Sequence, residues 1–143
     1  LLFYTGAQRN ASEILEAQNA ASLEQTAALT EMADLVVPMA EILSGHGELS
    51  DIGPMLHESW NLKRSISPGI STVWIDEQYE TALAAGAQGG KILGAGGGGF
   101  LMLFTEPDCQ DAVEEALKPM KMIRPRFDTG GSRITYFEPS HTR

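Results

Sequence analysis

Eight of the chain's fifteen glycines crowd between Gly86 and Gly99, in and around Gly89-Gly90-Lys91-Ile92-Leu93-Gly94-Ala95-Gly96-Gly97-Gly98-Gly99-Phe100. Glycine inside regular structure costs about 0.5–1 kcal/mol relative to alanine, so neither a helix nor a long strand is expected to run through Gly94–Gly99. Two glycines satisfy a hairpin turn, and four in succession exceed that need. Such a run permits close backbone approach. Without side chains, successive N–H groups can line a concavity that binds an anion such as a phosphate. The apolar runs on either side, Lys91-Ile92-Leu93 and Phe100–Phe104, read as two strands around the loop.

Three glycine motifs compete for this segment. Gly94, Gly96 and Gly99 match G-x-G-x-x-G, but a dinucleotide fingerprint opens a helix, and here a strand follows. A Walker A loop needs Gly-Lys-Ser/Thr, whereas Gly90-Lys91 precedes Ile92. A protein-kinase glycine loop lies between strands, yet the chain has neither H-R-D nor D-F-G.

The flanking pattern supplies the fold. Leu1 to Thr5 reads as a strand, and Ile14, Leu15 and the alanines that follow suggest a helix. Ser22, with Gln25 three residues on, has the form of a capping box before a helix whose buried face carries Ala28, Met32, Leu35, Val36, Met39, Ile42 and Leu43. Pro38 should kink or split that helix, and Gly45-His46-Gly47 ends it. Glu48 to Ser65 is helical, with Leu49, Ile52, Leu56, Trp60 and Leu62 or Lys63 on its face. Val73 to Ala85 is helical too, with Ile75, Tyr79 and Leu83 four apart. Pro107 opens a short helix to Leu117, and the alternation of Arg133 to Phe137 predicts a last strand. With the additional helices set aside, the order is β-α-β-β-α-β. That is the ferredoxin-like α+β arrangement: a four-stranded antiparallel sheet covered by helices on one face. At 143 residues, 43% of them hydrophobic and 20% charged, the chain reads as one folded domain, 1–143. The longest apolar run is five residues, too short for a membrane-spanning helix.

Ten Lys+Arg against nineteen Asp+Glu leave a net charge of -9. Nucleic acids and anionic membranes are poor partners for such a chain. Anion binding here must be local, through backbone amides and one or two basic side chains. Lys91 beside the loop and Arg9 after the first strand are the candidates; edge-strand and surface roles are their alternatives. His57-Glu58 fails as a zinc motif because Asn61 stands where a second histidine is needed, which leaves His57 a substrate-contact or packing residue. Asp128-Thr129-Gly130 lacks the second copy an aspartic protease requires and reads as a turn. The single Cys109 excludes an internal disulfide, and with no secretory signal the cytoplasm is the expected compartment.

Lys91-Ile92-Leu93-Gly94-Ala95-Gly96-Gly97-Gly98-Gly99-Phe100 resembles the third motif of the GHMP kinases, which lies in their ferredoxin-like C-terminal domain. Tyr4-Thr5-Gly6 with Arg9, Leu56-His57-Glu58-Ser59-Trp60 with Leu62-Lys63, and Ile75-Asp76 with Tyr79 are similar to the sugar-kinase branch, which includes heptose-phosphate and galactokinase-like bacterial enzymes. The resemblance implies ATP-dependent phosphoryl transfer to a sugar or sugar phosphate. It also implies that Gly94, Ala95, Gly96, Gly97, Gly98 and Gly99 close over the active site. ATP, Mg²⁺ and the catalytic residues would belong mainly to an N-terminal domain of the same polypeptide. The missing initiator Met fits a chain cut from something longer, inactive alone and prone to dimerise through the face its partner domain would cover. A non-catalytic ferredoxin-like sensor or interaction module is the competing expectation.

Overall fold

The computed structural model describes residues 1–7, 12, 14–16, 19, 25–128 and 130–136. Strand β1 is Leu2–Tyr4, and Ser12, Ile14, Leu15, Glu16 and Asn19 are helical. Helices α1 (Thr26–Asp34) and α2 (Val36–Leu43) follow, then α3 (Ile52–Ile66), entered through a 3₁₀ turn at Leu49–Asp51, and α4 (Val73–Ala84). Strands β2 (Ala87–Ile92) and β3 (Phe100–Thr105) flank the glycine loop. A 3₁₀ turn at Pro107–Cys109 leads into α5 (Gln110–Ala116), and β4 (Lys121–Ile123) completes the sheet.

The four strands lie in the order β2-β3-β1-β4, and every neighbouring pair is antiparallel. This is the ferredoxin-like topology expected from the element order. Register sorts the side chains by face. Phe3 pairs with Leu101 and with Met122, and Ile92 pairs with Leu101, so these residues share one face. Phe3, Leu101, Leu103 and Ile92 join Trp60 and Ile66 of α3, Ile75 and Tyr79 of α4, and Val113 of α5 in one buried cluster. The helices therefore cover that face. Leu2, Tyr4, Phe100, Met102 and Phe104 alternate onto the opposite face and stay partly exposed.

Local chemistry explains the breaks. The long α1–α2 stretch divides at Leu35, which puts Pro38 in the first turn of α2, where an absent N–H costs nothing. Thr72 caps α4 by accepting a hydrogen bond from the Ile75 N–H at 3.2 Å. Ser22 of the expected capping box lies outside the described residues; α1 starts at Thr26, after Gln25, whose side chain makes no capping bond. Val36, Leu43 and Leu49 do not join the core. The break at Leu35 resets the helix phase, so that α2 buries Ile42 and leaves Val36 and Leu43 exposed. Leu49 sits in the 3₁₀ turn before α3 and is exposed, because the turn of a 3₁₀ segment takes it off the α3 stripe.

The last strand is the main correction. Lys121–Ile123 forms it, and Arg133–Tyr136 is not a strand; Phe137 lies outside the described residues. The segment holding Ile134 and Tyr136 is not in the described sheet, and both side chains are exposed. Lys121-Met122-Ile123 shows no alternation worth reading, yet β1 pairs with all three residues. Long-range pairing, not local pattern, makes this strand.

Helix α3 rests directly on β2, and glycine permits it. A Cβ on Gly89 would stand 1.9 Å from the Gly53 carbonyl oxygen and 2.9 Å from the His57 nitrogen. Gly89→Ala is therefore expected to lower stability by about 3 kcal/mol, since two backbones must separate. Gly94→Ala meets open space and only a φ of +93°, and should cost about 1–2 kcal/mol. Urea midpoints of the two variants check this order.

Candidate functional site

The loop is pinned from three sides. The Leu93 N–H donates to the Phe100 carbonyl at 2.9 Å and closes its base. The Gly97 N–H donates to the Ile70 carbonyl at 2.8 Å, and the Gly99 N–H to the Ala7 carbonyl at 3.1 Å. The Gly99 carbonyl in turn accepts from the Thr5 N–H at 2.9 Å and the Thr5 hydroxyl at 3.0 Å. At the loop's other end, Lys63 Nζ donates to the Gly94 carbonyl at 2.6 Å.

Two glycines show why side chains are excluded. Gly96 has φ +119°, and a Cβ there would lie 2.6 Å from the Ile70 carbonyl. Gly98 has no left-handed φ, but its Cβ would lie 2.6 Å from the Ala7 carbonyl. The carbonyls that hold the loop are the ones that forbid a side chain on it.

Pinning divides the expected row of amides. Gly97 and Gly99 spend their N–H groups inside the protein. Among the described residues, the N–H groups of Gly94, Ala95, Gly96 and Gly98 meet no acceptor. Four donors thus remain on a segment held by its neighbours. Ala95, the one residue of the loop with a side chain, packs against the core cluster.

Lys91 lies on β2 opposite Met102, half-exposed and in no ion pair among the described residues. Lys63, on the last turns of α3, joins it at the loop. Burial, reinforced by the charge of Lys91, holds the Lys63 ammonium below the usual lysine range. The adjacent Arg64 is neutralised by Asp76 at 3.1 Å, which also accepts from the Ser71 hydroxyl at 2.7 Å. Thr5, Ala7, Lys63 and Ile70 were not legible as loop-holding residues. Three of them act through backbone groups, which every residue type carries.

His57 has an internal partner. Its Nδ1 lies 2.9 Å from the Tyr79 hydroxyl, and the rings stack at 5.8 Å. Arg9 lies outside the described residues. The Asp128 turn is present, with the Gly130 N–H donating to Oδ1 at 2.6 Å and Arg133 paired at 3.0 Å; Thr129 lies outside the described residues. Cys109 would touch a Cβ placed on Gly86, so it serves packing at the α4 end. No group of three or more His, Cys, Asp or Glu among the described residues could hold a metal ion. No helix among them is long and apolar enough to cross a membrane.

Burial pushes the Tyr79 phenol up to about 12, partly offset by a hydrogen bond with the Gly90 backbone. The folded chain thus holds this proton more tightly than an unfolded chain, whose tyrosine titrates near 10. Stability is unaffected below pH 10 and falls as pH rises towards 12, by an amount on the order of 2–3 kcal/mol. Tyr79→Phe should remove this alkaline loss, as read from denaturation at pH 9 and pH 11.5.

A ferredoxin-like domain with a pinned glycine loop between the edge strand β2 and its neighbour β3 is the class this geometry defines. The profile of the family described as GHMP kinases C terminal matches residues 39–121, more than half of the chain. The chain belongs to the GHMP kinases. It is 30% identical over 123 residues to the D-glycero-alpha-D-manno-heptose 7-phosphate kinase of Campylobacter jejuni subsp. jejuni serotype O:2, covering 82% of this chain and 35% of that protein. It is 26% identical over 118 residues to the bifunctional fucokinase/GDP-fucose pyrophosphorylase of Arabidopsis thaliana, covering 80% of this chain and 11% of that protein. The crystal structure of L. major mevalonate kinase in complex with R-mevalonate superposes with a TM-score of 0.69 at 24% identity, over 82% of this chain and 36% of that one. The chain thus spans about a third of the heptose kinase and of the mevalonate kinase.

Proposed function

We propose that residues 1–143 are the C-terminal domain of an ATP-dependent sugar or sugar-phosphate kinase, and that the Gly94–Gly99 loop closes its active site over the transferred phosphate. The observation that carries this reading is the pinned loop, four of whose N–H groups are uncommitted among the described residues. Phosphoryl transfer runs mainly on positioning and charge stabilisation. Donors that are already fixed need no reorganisation as charge develops on the phosphoryl oxygens. The family match supports kinase chemistry, and two sugar kinases among the relatives support the acceptor class.

ATP suits this half only in its phosphates. The amides of Gly94, Ala95, Gly96 and Gly98 would face the terminal phosphate, with Lys91 adding charge. Arg9 and His57 stay candidate substrate contacts, and the Tyr79 hydrogen bond leaves His57 its other ring nitrogen for that role. Mg²⁺ travels with the nucleotide and is held mainly by an N-terminal domain. When bound, the metal neutralises phosphate charge. This chain's residues orient the phosphate and exclude water. Catalytic residues belong to the N-terminal domain, and the isolated chain is inactive.

Exposed Val36, Val37 and Leu43 on α2 support a docking face for that domain, and dimerisation when it is absent. A non-catalytic sensing domain would need the loop but no phosphoryl transfer.

In the complete polypeptide, ADP release with a panel of heptose phosphate, galactose and fucose should show turnover on at least one sugar. Gly98→Ala forces the loop off the Ala7 carbonyl and should lower kcat about 10²-fold with the fold retained. Turnover on no sugar, or full activity in that variant, would count against the reading.

A further inference from the structure

Lys63 reaches the start of the glycine loop from α3. It lies near the end of α3, half-buried, and among the described residues its ammonium donates to the Gly94 carbonyl at 2.6 Å. Carboxylates outnumber bases by nineteen to ten in this chain, yet neither Lys63 nor Lys91 meets one among the described residues. The ion pairs there engage Arg64, Lys118, Arg124 and Arg133 instead. Lys63, whose ammonium is disfavoured by burial and by the charge of Lys91, is nonetheless kept at the start of a loop whose first three N–H groups, on Gly94, Ala95 and Gly96, meet no acceptor among the described residues. Like charges held together without a counter-ion leave room for an anion. A neutral carbonyl is a weaker acceptor for an ammonium than a phosphate oxygen.

We propose that Lys63, with Lys91, binds a phosphate group against the start of the glycine loop. Lys63 then exchanges the Gly94 carbonyl for a phosphate oxygen. The inference rests on the reading of the loop as the phosphate side of the site, and it adds a residue from α3 to it. Two sources share this chemistry: the terminal phosphate of the nucleotide, and a phosphate already carried by the acceptor sugar.

The test needs no turnover. Inorganic phosphate, ATP and a hexose 6-phosphate are titrated separately into the ¹⁵N-labelled 143-residue chain. The expected result is saturable shifts of the Gly94, Ala95 and Gly96 amides, with Lys63→Met weakening binding about tenfold or more and Lys63→Arg recovering most of it. Tighter binding of ATP than of the hexose phosphate assigns the site to the nucleotide, and the reverse assigns it to the acceptor. Circular dichroism melts confirm that each variant folds, and Lys91→Met carries the same comparison where Lys63→Met does not. Shifts confined to residues away from the loop, or equal affinity in wild type and both methionine variants, overturn the proposal. A complete polypeptide without kinase activity whose loop still binds phosphate through Lys63 would refute the kinase reading and leave this one standing. An active kinase indifferent to Lys63 would do the opposite.

Discussion

Two backbone carbonyls, those of Ile70 and Ala7, hold the glycine loop where it is. Each accepts one loop N–H and each stands where a side chain on the loop would have to go. The Ala7 carbonyl follows β1, which is central in the sheet, and Ile70 is fully buried beside α3 and α4. The sheet and the helical layer therefore clamp the loop between them. The cost of ordering so many glycines is met by the fold before any ligand arrives. A loop that stayed free would owe that entropy on every binding event.

The helical layer can serve as one jaw because α3 lies so close to β2. Gly53 and Gly89 let the two backbones meet without a side chain between them. Trp60 and Ile66 then fill the space below, together with Ile75 and Tyr79 of α4. The same approach brings Lys63 to the Gly94 carbonyl. Packing, loop geometry and local charge follow from one helix–strand contact.

Much of this architecture is readable in the sequence. Period-four apolar positions mark α3 and α4, the glycine run marks the turn between β2 and β3, and Pro38 marks the α1–α2 break. The ferredoxin-like order follows from these. What escapes reading is whatever long-range pairing decides. Lys121–Ile123 is a strand because β1 lies beside it, whereas the better pattern at Ile134 and Tyr136 is not part of the sheet. The site divides the same way. The glycine run and Lys91 stand out by composition. The split between committed and free amides depends on where Ile70 and Ala7 fall in space, and no residue type announces a carbonyl. His57 illustrates the converse, a conspicuous side chain with an internal hydrogen-bond partner in Tyr79.

The loop is pinned at alternate amides, Gly97 and Gly99, rather than free. Residue-resolved amide hydrogen exchange of the chain reads this directly. The N–H groups of Gly97 and Gly99 should exchange at least about tenfold more slowly than those of Gly94, Ala95, Gly96 and Gly98. Uniform fast exchange across Gly94–Gly99 would contradict it.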